Sequence, residues 1–111
     1  MGDASVSARN KARGYELEAE CRNFWIENGF SARRTLASGA YKKQLGASEA
    51  GDGWIEEFRF EAKRQKSGFK FLYKSLAQDD ADILVVRQDR SPRIYILPEQ
   101  SLLRLMTKAY R

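Results

Sequence analysis

The sequence predicts a mixed α/β fold in the order helix, three strands, helix, two strands, helix. Apolar and charged residues alternate with period two over residues 58–63, which is typical of a strand with two different faces. Phe69, Leu72, Tyr73 and Leu76 recur at i, i+3, i+4 and i+7, which is typical of a helix with one buried face. A chain of 111 residues suits a single core. We therefore expect a flexible N-terminus over residues 1–9 and one domain over residues 10–111.

The first half of the chain predicts a helix followed by three strands. A helix is expected from Asn10 to Asn28, because Gly29 is a good residue to close it. A short strand is expected from Phe30 to Leu36. The second and third strands, Trp54-Ile55 and Phe58 to Lys63, form a hairpin that turns at Glu56-Glu57. That dipeptide is a poor signal for a tight turn, because such turns favour Gly or Asn.

Residues 37–51, between the first two predicted strands, are rich in small residues and carry Lys42 and Lys43. A segment of this composition lets a backbone approach a ligand closely, and the two lysines add positive charge. Two interpretations stay open. The segment is either a loop that settles on a ligand or an ordinary connection with two solvated lysines.

The second half of the chain predicts a helix, two strands and a final helix. The helix is expected over about 68–78 and the strands over 81–87 and 93–97, with the last helix opening at Pro98. Residues 83–86 form a continuous apolar run, which suits a strand that is buried on both faces. Leu102, Leu105 and Met106 supply an apolar stripe to the final helix.

Composition excludes several classes of site. The formal net charge is +5. Because the sequence contains no histidine, His-metal nuclease sites, His general bases and Ser-His-Asp triads are excluded. The single cysteine, Cys21, excludes an intrachain disulfide and a Cys-rich zinc site. No long apolar run predicts a membrane span. We expect a cytoplasmic protein for which a polyanion is a reasonable partner.

Carboxylates and lysine therefore remain for any hydrolytic chemistry, and Glu61-Ala62-Lys63 places one of each on the same strand face. Asp52, nine residues upstream and bounded by glycines, adds a second acid. Two carboxylates at adjoining strand ends can hold Mg²⁺, with the carbonyl of Ala62 as a natural further ligand, and Lys63 can reach the attacking water or a phosphate oxygen. A Glu-x-Lys strand also occurs by chance as a solvated polar face.

Glu18 has two interpretations. Helical periodicity favours a surface acid that pairs with Arg22 at i,i+4. Its position at the boundary of the apolar face, beside Trp25, keeps a functional role open.

From Gly14 onward the chain resembles the archaeal and phage Holliday-junction resolvases of the PD-(D/E)xK nuclease superfamily. The resemblance covers about residues 10–106, and it rests on separated elements that recur in the family's order. These elements are Arg13-Gly14, Glu18, Gly29-Phe30, Arg34, Ser38-Gly39, Asp52 and Glu61-Ala62-Lys63. The resemblance implies a restriction-endonuclease-like fold with a mixed five-stranded sheet flanked by helices.

The resemblance also implies residue roles, in a metal-dependent endonuclease that acts on branched DNA in recombination and repair. Asp52 and Glu61 would be metal ligands with Mg²⁺ or Mn²⁺, and Lys63 the catalytic lysine. Glu18 would act through a water molecule. Residues expected at DNA are Arg34, Ser38, Gly39, Lys42, Lys43, Arg64 and Lys66, with Ser38 near the scissile phosphate. A homodimer follows, since a four-way junction is cut at two points, and no small-molecule cofactor is expected.

Two departures from the family pattern matter. Gly51 stands where the motif has proline, and nine residues from Asp52 to Glu61 imply a short hairpin. The short spacing leaves Glu49, Glu56 and Glu57 as alternatives to Asp52. Two other functions stay open: a phage-type DNA nuclease without junction preference, and a nucleic-acid-binding module whose nuclease site is inactive.

Overall fold

The structure is a computed structural model, and it describes residues 2–35 and 52–111, with side chains from residue 14 onward. Its order is α1 (Gly2–Glu27), β1 (Ala32–Arg34), β2 (Gly53–Ile55), β3 (Phe58–Phe60), α2 (Lys70–Ala77), a 3₁₀ turn (Gln78–Asp80), β4 (Leu84–Val86), β5 (Ile94–Ile96) and α3 (Glu99–Tyr110). The mixed α/β class and the order of helices and strands are confirmed for these residues. No helix in the described ranges is long and apolar enough to cross a membrane.

The described strands form two antiparallel sheets, one with the order β1-β2-β3 and one in which β4 pairs with β5. A single five-stranded sheet is not among these pairings and stays a prediction. The chain divides into two compact units, Met1–Lys66 and Ser67–Arg111. Each unit contains one of the two sheets. The single domain over residues 10–111 likewise stays a prediction.

Helix α1 is longer than expected, because it begins at Gly2 rather than at Asn10. Residues 3–13 contain neither glycine nor proline, so nothing in their sequence stops the helix from extending toward the N-terminus. The flexibility expected for residues 1–9 stays a prediction.

The C-terminal end of α1 follows the prediction for Gly29. Gly29 has a φ of 89° and donates its N–H to the carbonyl of Ile26, while Phe30 donates to the carbonyl of Trp25. This pair of bonds is a Schellman motif, in which a left-handed glycine closes the helix. The rings of Trp25 and Phe30 meet edge to face with centroids 5.3 Å apart, and both side chains are buried. The motif therefore turns the chain from α1 into β1 and builds the core of this unit at the same place.

In the second unit the apolar run over residues 83–86 is not buried on both faces. Ile83 and Val85 are about half exposed, at 49% and 48%. The prediction of full burial was wrong, because β4 alternates its residues between a partly buried face and an exposed face. Met106 is buried in α3, whereas Leu102 and Leu105 of the predicted stripe are exposed. The buried face predicted for α2 was also wrong in part, because Leu72 and Leu76 are only partly buried and Tyr73 is 73% exposed.

Candidate active site at one end of the three-stranded sheet

The β2-β3 hairpin brings Asp52 against the Glu61-Ala62 peptide. The strands pair Gly53 with Phe60 and Ile55 with Phe58, so the turn consists of Glu56 and Glu57, as predicted. Asp52 donates its N–H to the carbonyl of Phe60 at 2.9 Å, and its Oδ2 accepts a hydrogen bond from the N–H of Ala62 at 2.8 Å. The first acid of the motif therefore lies beside the Glu-x-Lys segment in space.

The turn forms without Gly or Asn because Glu56 is held from outside the hairpin. Glu56 adopts a φ of 50°, donates its N–H to the carbonyl of Ser31 at 2.8 Å, and accepts the N–H of Ser31 at its Oε1 at 2.9 Å. Two hydrogen bonds to the start of β1 offset the cost of a positive φ in a residue with a side chain.

This register separates the alternative acids from the motif. Glu56 lies four residues from Asp52 along the strand, or roughly 13 Å at about 3.3 Å per residue. Glu56 and Glu57 occupy the turn, at the end of the hairpin remote from Ala62. Among the described alternatives, Asp52 is the acid that contacts the Glu61-Ala62 peptide. Glu49 lies outside the described residues.

Strand β3 ends at Phe60, not at Lys63 as predicted. The carbonyl of Asp52 accepts from the N–H of Thr35 at 3.0 Å and from Thr35 Oγ1 at 3.3 Å, so it faces β1. The N–H of Ala62 is satisfied by the Asp52 side chain instead, and the backbone ladder with β3 stops there. Glu61 and Lys63 are exposed, and Ala62 is partly buried. Thr35, which fixes the Asp52 backbone, was not among the predicted site residues because it belongs to no motif.

Glu18 is buried, and its partner is Arg34 rather than Arg22. Its exposure is 8%, and its Oε2 accepts hydrogen bonds from Arg34 Nε at 3.2 Å and Nη2 at 3.1 Å. Arg22 donates to the side chain of Asn23. The surface interpretation of Glu18 was wrong, because α1 packs on β1 and the Arg34 side chain of that strand reaches the helix. The Arg34 guanidinium also lies 5.7 Å from the centre of the Tyr15 ring.

The Glu18-Arg34 ion pair and the hydrogen bond between Asp52 and Ala62 lie at the same end of the three-stranded sheet. Arg34 is the last residue of β1, and the next residue, Thr35, carries the hydrogen bonds to Asp52. The sheet therefore ends with the Glu18-Arg34 pair on the side of α1 and with the Asp52-Ala62 bond between β2 and β3.

The other predicted DNA contacts are distributed as follows. Arg64 forms an ion pair with Glu16 of α1, and the Arg64 side chain remains 45% exposed. Lys66 is exposed. Ser38, Gly39, Lys42 and Lys43 lie outside the described residues.

The donor set suits a hard divalent cation. Mg²⁺ is held by one or two carboxylates together with carbonyl oxygens and water, which the two acids and the Ala62 carbonyl are able to supply. A carboxylate offers about four acceptor positions, so the bond at Asp52 Oδ2 does not exclude a cation. The described part of the chain contains no group of three or more Asp, Glu, His or Cys side chains arranged around one point.

A cleft of about 230 Å³ is lined by residues of the second unit. Asp82, Ile83, Arg104 and Leu105 are among its lining residues, and Arg104 pairs with Asp82 at 2.9 Å. No predicted site residue within the described ranges lines it. We assign the site by the placement of its acids rather than by the depth of a pocket.

Gly53, the second glycine of Gly51-Asp52-Gly53, lies where the structure has no room for a side chain. A Cβ on this residue would lie 2.5 Å from the Phe60 ring and 2.6 Å from the backbone carbonyl oxygen of Arg33.

We expect Gly53→Ala to lower the free energy of unfolding by about 1–3 kcal/mol, the usual cost of overpacking. The matched control is Gly14→Ala inside α1, where nothing lies within 4 Å. It is expected to stabilise by about 0.5–1 kcal/mol. Urea unfolding of both variants measures the difference, and equal stability would contradict the close approach of β1 and β3 to Gly53.

Comparisons with protein-family models, with curated proteins and with solved structures found no match to this chain.

Proposed function

We propose that the protein is a metal-dependent DNA endonuclease of the PD-(D/E)xK type that hydrolyses phosphodiester bonds, with branched DNA as its preferred substrate. One observation carries the proposal: the hairpin register places the Asp52 carboxylate 2.8 Å from the Ala62 amide, between the acid and the lysine of Glu-x-Lys. This bond brings a second carboxylate to the Glu-x-Lys segment.

Each predicted residue has a role in this proposal. Asp52, Glu61 and the Ala62 carbonyl would hold Mg²⁺ or Mn²⁺, and the bound cation would offset negative charge on the phosphate. Lys63 is exposed and would hold the attacking water or a phosphate oxygen. Both hydrogen bonds from Arg34 reach Oε2 of Glu18, so Oε1 would orient a water molecule at the candidate site. Ser38 and Gly39 would lie at the scissile phosphate, with Lys42, Lys43, Arg64 and Lys66 at neighbouring phosphates.

The proposal includes an architecture and an assembly. The two described sheets would belong to one restriction-endonuclease-like sheet of five strands. The protein would be an intracellular homodimer, because symmetric cleavage of a four-way junction needs two active sites. Exposed large apolar side chains support a protein interface in the second unit. They include Phe71, Tyr73, Ile94 and Tyr95, each more than half exposed.

A nucleic-acid-binding module with an inactive nuclease site is the second candidate. The observation in its favour is that the structure gives Glu18 a structural partner, because its carboxylate accepts two hydrogen bonds from Arg34. In this candidate Glu18 stabilises the packing of α1 on β1, and the basic residues contact phosphates without chemistry.

Parallel incubation of labelled four-way junction, flap, duplex and single-stranded DNA with Mg²⁺, with Mn²⁺ or with a chelator tests the proposal. We expect Mg²⁺-dependent cuts, strongest in the junction. Equal cutting of all four DNAs would support the nuclease without junction preference. Binding without cuts in either metal, Mg²⁺ or Mn²⁺, would overturn the endonuclease and leave the binding module.

A further inference from the structure

Thr35 donates two hydrogen bonds to one acceptor, the carbonyl oxygen of Asp52. The bond from its N–H is 3.0 Å long, and the bond from its hydroxyl Oγ1 is 3.3 Å long. A carbonyl oxygen has two lone pairs and is able to accept both. The main-chain bond continues the pairing of β1 with β2, in which Arg34 stands opposite Gly53. The hydroxyl bond is additional to that pairing, so it depends on the side chain that residue 35 carries.

The backbone of Asp52 needs such support because of its neighbours in the sequence. Asp52 stands between Gly51 and Gly53, and glycine is the residue that restricts the backbone least. The N–H of Asp52 is bound to the carbonyl of Phe60 at 2.9 Å on the β3 side, and Thr35 binds the Asp52 carbonyl on the β1 side. The Asp52 backbone is therefore held from both neighbouring strands.

The position of the Asp52 carboxylate follows from the position of this backbone. One methylene group separates the carboxylate from Cα, so a rotation of the backbone moves the carboxylate oxygens with it. Oδ2 accepts the N–H of Ala62 at 2.8 Å, which brings the acid to the Glu-x-Lys segment. Mg²⁺ demands near-ideal octahedral geometry with oxygen ligands at about 2.0–2.1 Å. A ligand that is displaced from its productive position by more than about 0.5 Å therefore binds such a cation more weakly.

We propose that Thr35 is a positioning residue for the cation site, because its hydroxyl holds the Asp52 carbonyl and thereby keeps the Asp52 carboxylate at the Ala62 peptide. In this role Thr35 acts on the cation through Asp52 rather than as a ligand. The choice of a divalent cation rests on the proposed function, whereas the support of Asp52 rests on the two hydrogen bonds from Thr35. Loss of the hydroxyl weakens cation binding without removing a ligand, so excess cation compensates for it.

The first test measures the support of Asp52 without any cation. Thr35→Val keeps the shape of the side chain and the main-chain N–H but lacks the hydroxyl, and valine suits a strand. In chelator, hydrogen exchange of the Ala62 amide followed by NMR reports how firmly Asp52 Oδ2 is held. We expect exchange about three- to fivefold faster in Thr35→Val, the scale of one hydrogen bond. The original rate is expected in Thr35→Ser, which keeps the hydroxyl. The Glu56 amide at the turn is the internal reference and is expected to keep its rate.

The second test measures the consequence for the cation. Mn²⁺ titration followed by the EPR signal of the free ion gives an affinity that we expect to be about three- to fivefold weaker in Thr35→Val. The Mg²⁺ concentration for half-maximal single-turnover cleavage of junction DNA is expected to rise by the same factor, and saturating Mg²⁺ to restore the original rate. Thr35→Ser is expected to match the unmodified protein. Thr107→Val, the same change at the other threonine of the chain, is expected to alter neither quantity. Thr35→Ala removes the same hydroxyl and replaces Thr35→Val if that variant is poorly folded.

Unchanged exchange of the Ala62 amide in Thr35→Val would overturn the proposal. Equal losses in Thr35→Ser and Thr35→Val would also overturn it, because the hydroxyl would then not be the cause, and so would a cleavage rate that stays low at saturating Mg²⁺. Failure of the endonuclease is a separate result: an unmodified protein that neither binds Mn²⁺ nor cleaves would end the proposed function and the cation role of Thr35 together. Normal Mn²⁺ affinity and normal Mg²⁺ dependence in Thr35→Val would end the role of Thr35 alone.

Discussion

Glu61→Gln and Asp52→Asn are each expected to reduce Mg²⁺-dependent DNA cleavage by about 10³-fold or more, the scale on which a site loses transition-state charge stabilisation. Each change removes an anionic oxygen ligand while nearly preserving the shape of the side chain. DNA affinity is expected to persist or to tighten, because each change also removes a negative charge that repels phosphate. Single-turnover cleavage rates and anisotropy in chelator measure the two effects on the same preparations.

Glu57→Gln is the matched control for these variants. Glu57 is an exposed acid of the same hairpin, and it stands in the turn rather than beside Ala62. It makes the same change in charge, so cleavage is expected to stay near its original rate. Unimpaired cleavage by Glu61→Gln would contradict the assignment of the site. Retained cleavage by Asp52→Asn alone would point to Glu49 as the ligand.

Glu18→Gln is expected to affect both folding and cleavage. Its carboxylate is nearly buried and accepts two hydrogen bonds from an Arg34 side chain that is 37% exposed. The partial exposure places the expected loss of stability at about 1–2 kcal/mol, between a surface ion pair and a fully buried one. If Glu18 also orders water for the reaction, the cleavage rate falls by about 10²-fold or more. Thermal melting and single-turnover cleavage separate these two effects.

Arg34→Lys is the companion variant, because it weakens the same pair and retains the positive charge. The fork of two hydrogen bonds from Nε and Nη2 is lost, so a comparable loss of stability is expected. The proposed function predicts that the single-turnover cleavage rate at saturating protein falls far more in Glu18→Gln than in Arg34→Lys. Equal losses of cleavage would assign Glu18 to the packing of α1 on β1 and would favour the binding module.

The features that followed from the sequence are those encoded by neighbouring residues. Gly29 closes α1 because a left-handed residue is needed there, and its Schellman bonds involve residues within five positions. The β2-β3 turn at Glu56-Glu57 is local in the same sense, although the two hydrogen bonds between Glu56 and Ser31 that support it are not. Alternation along residues 58–60 likewise predicted a strand, although Phe58 on its apolar face is 54% exposed.

The features that did not follow depend on contacts between distant residues. Glu18 belongs to a helix whose periodicity places it at the edge of the apolar face, and its burial results from an arginine sixteen residues away. The length of β3 depends on which way the Asp52 carbonyl faces, and Thr35 decides that. The apolar composition of residues 83–86 did not reveal that β4 would pair with one strand only in its described sheet.

Iron-dependent cleavage of the protein backbone tests the central assignment most directly. Fe²⁺ with ascorbate and peroxide, in the presence of junction DNA, generates radicals that cut a polypeptide next to a bound divalent cation, and mass spectrometry locates the cuts. The proposed site predicts cuts at Asp52 and within Glu61-Ala62-Lys63, competed by Mg²⁺ and absent from Glu61→Gln. Cuts at the Glu56-Glu57 turn, or no Mg²⁺-competed cuts in these segments, would contradict a cation held between Asp52 and Glu61.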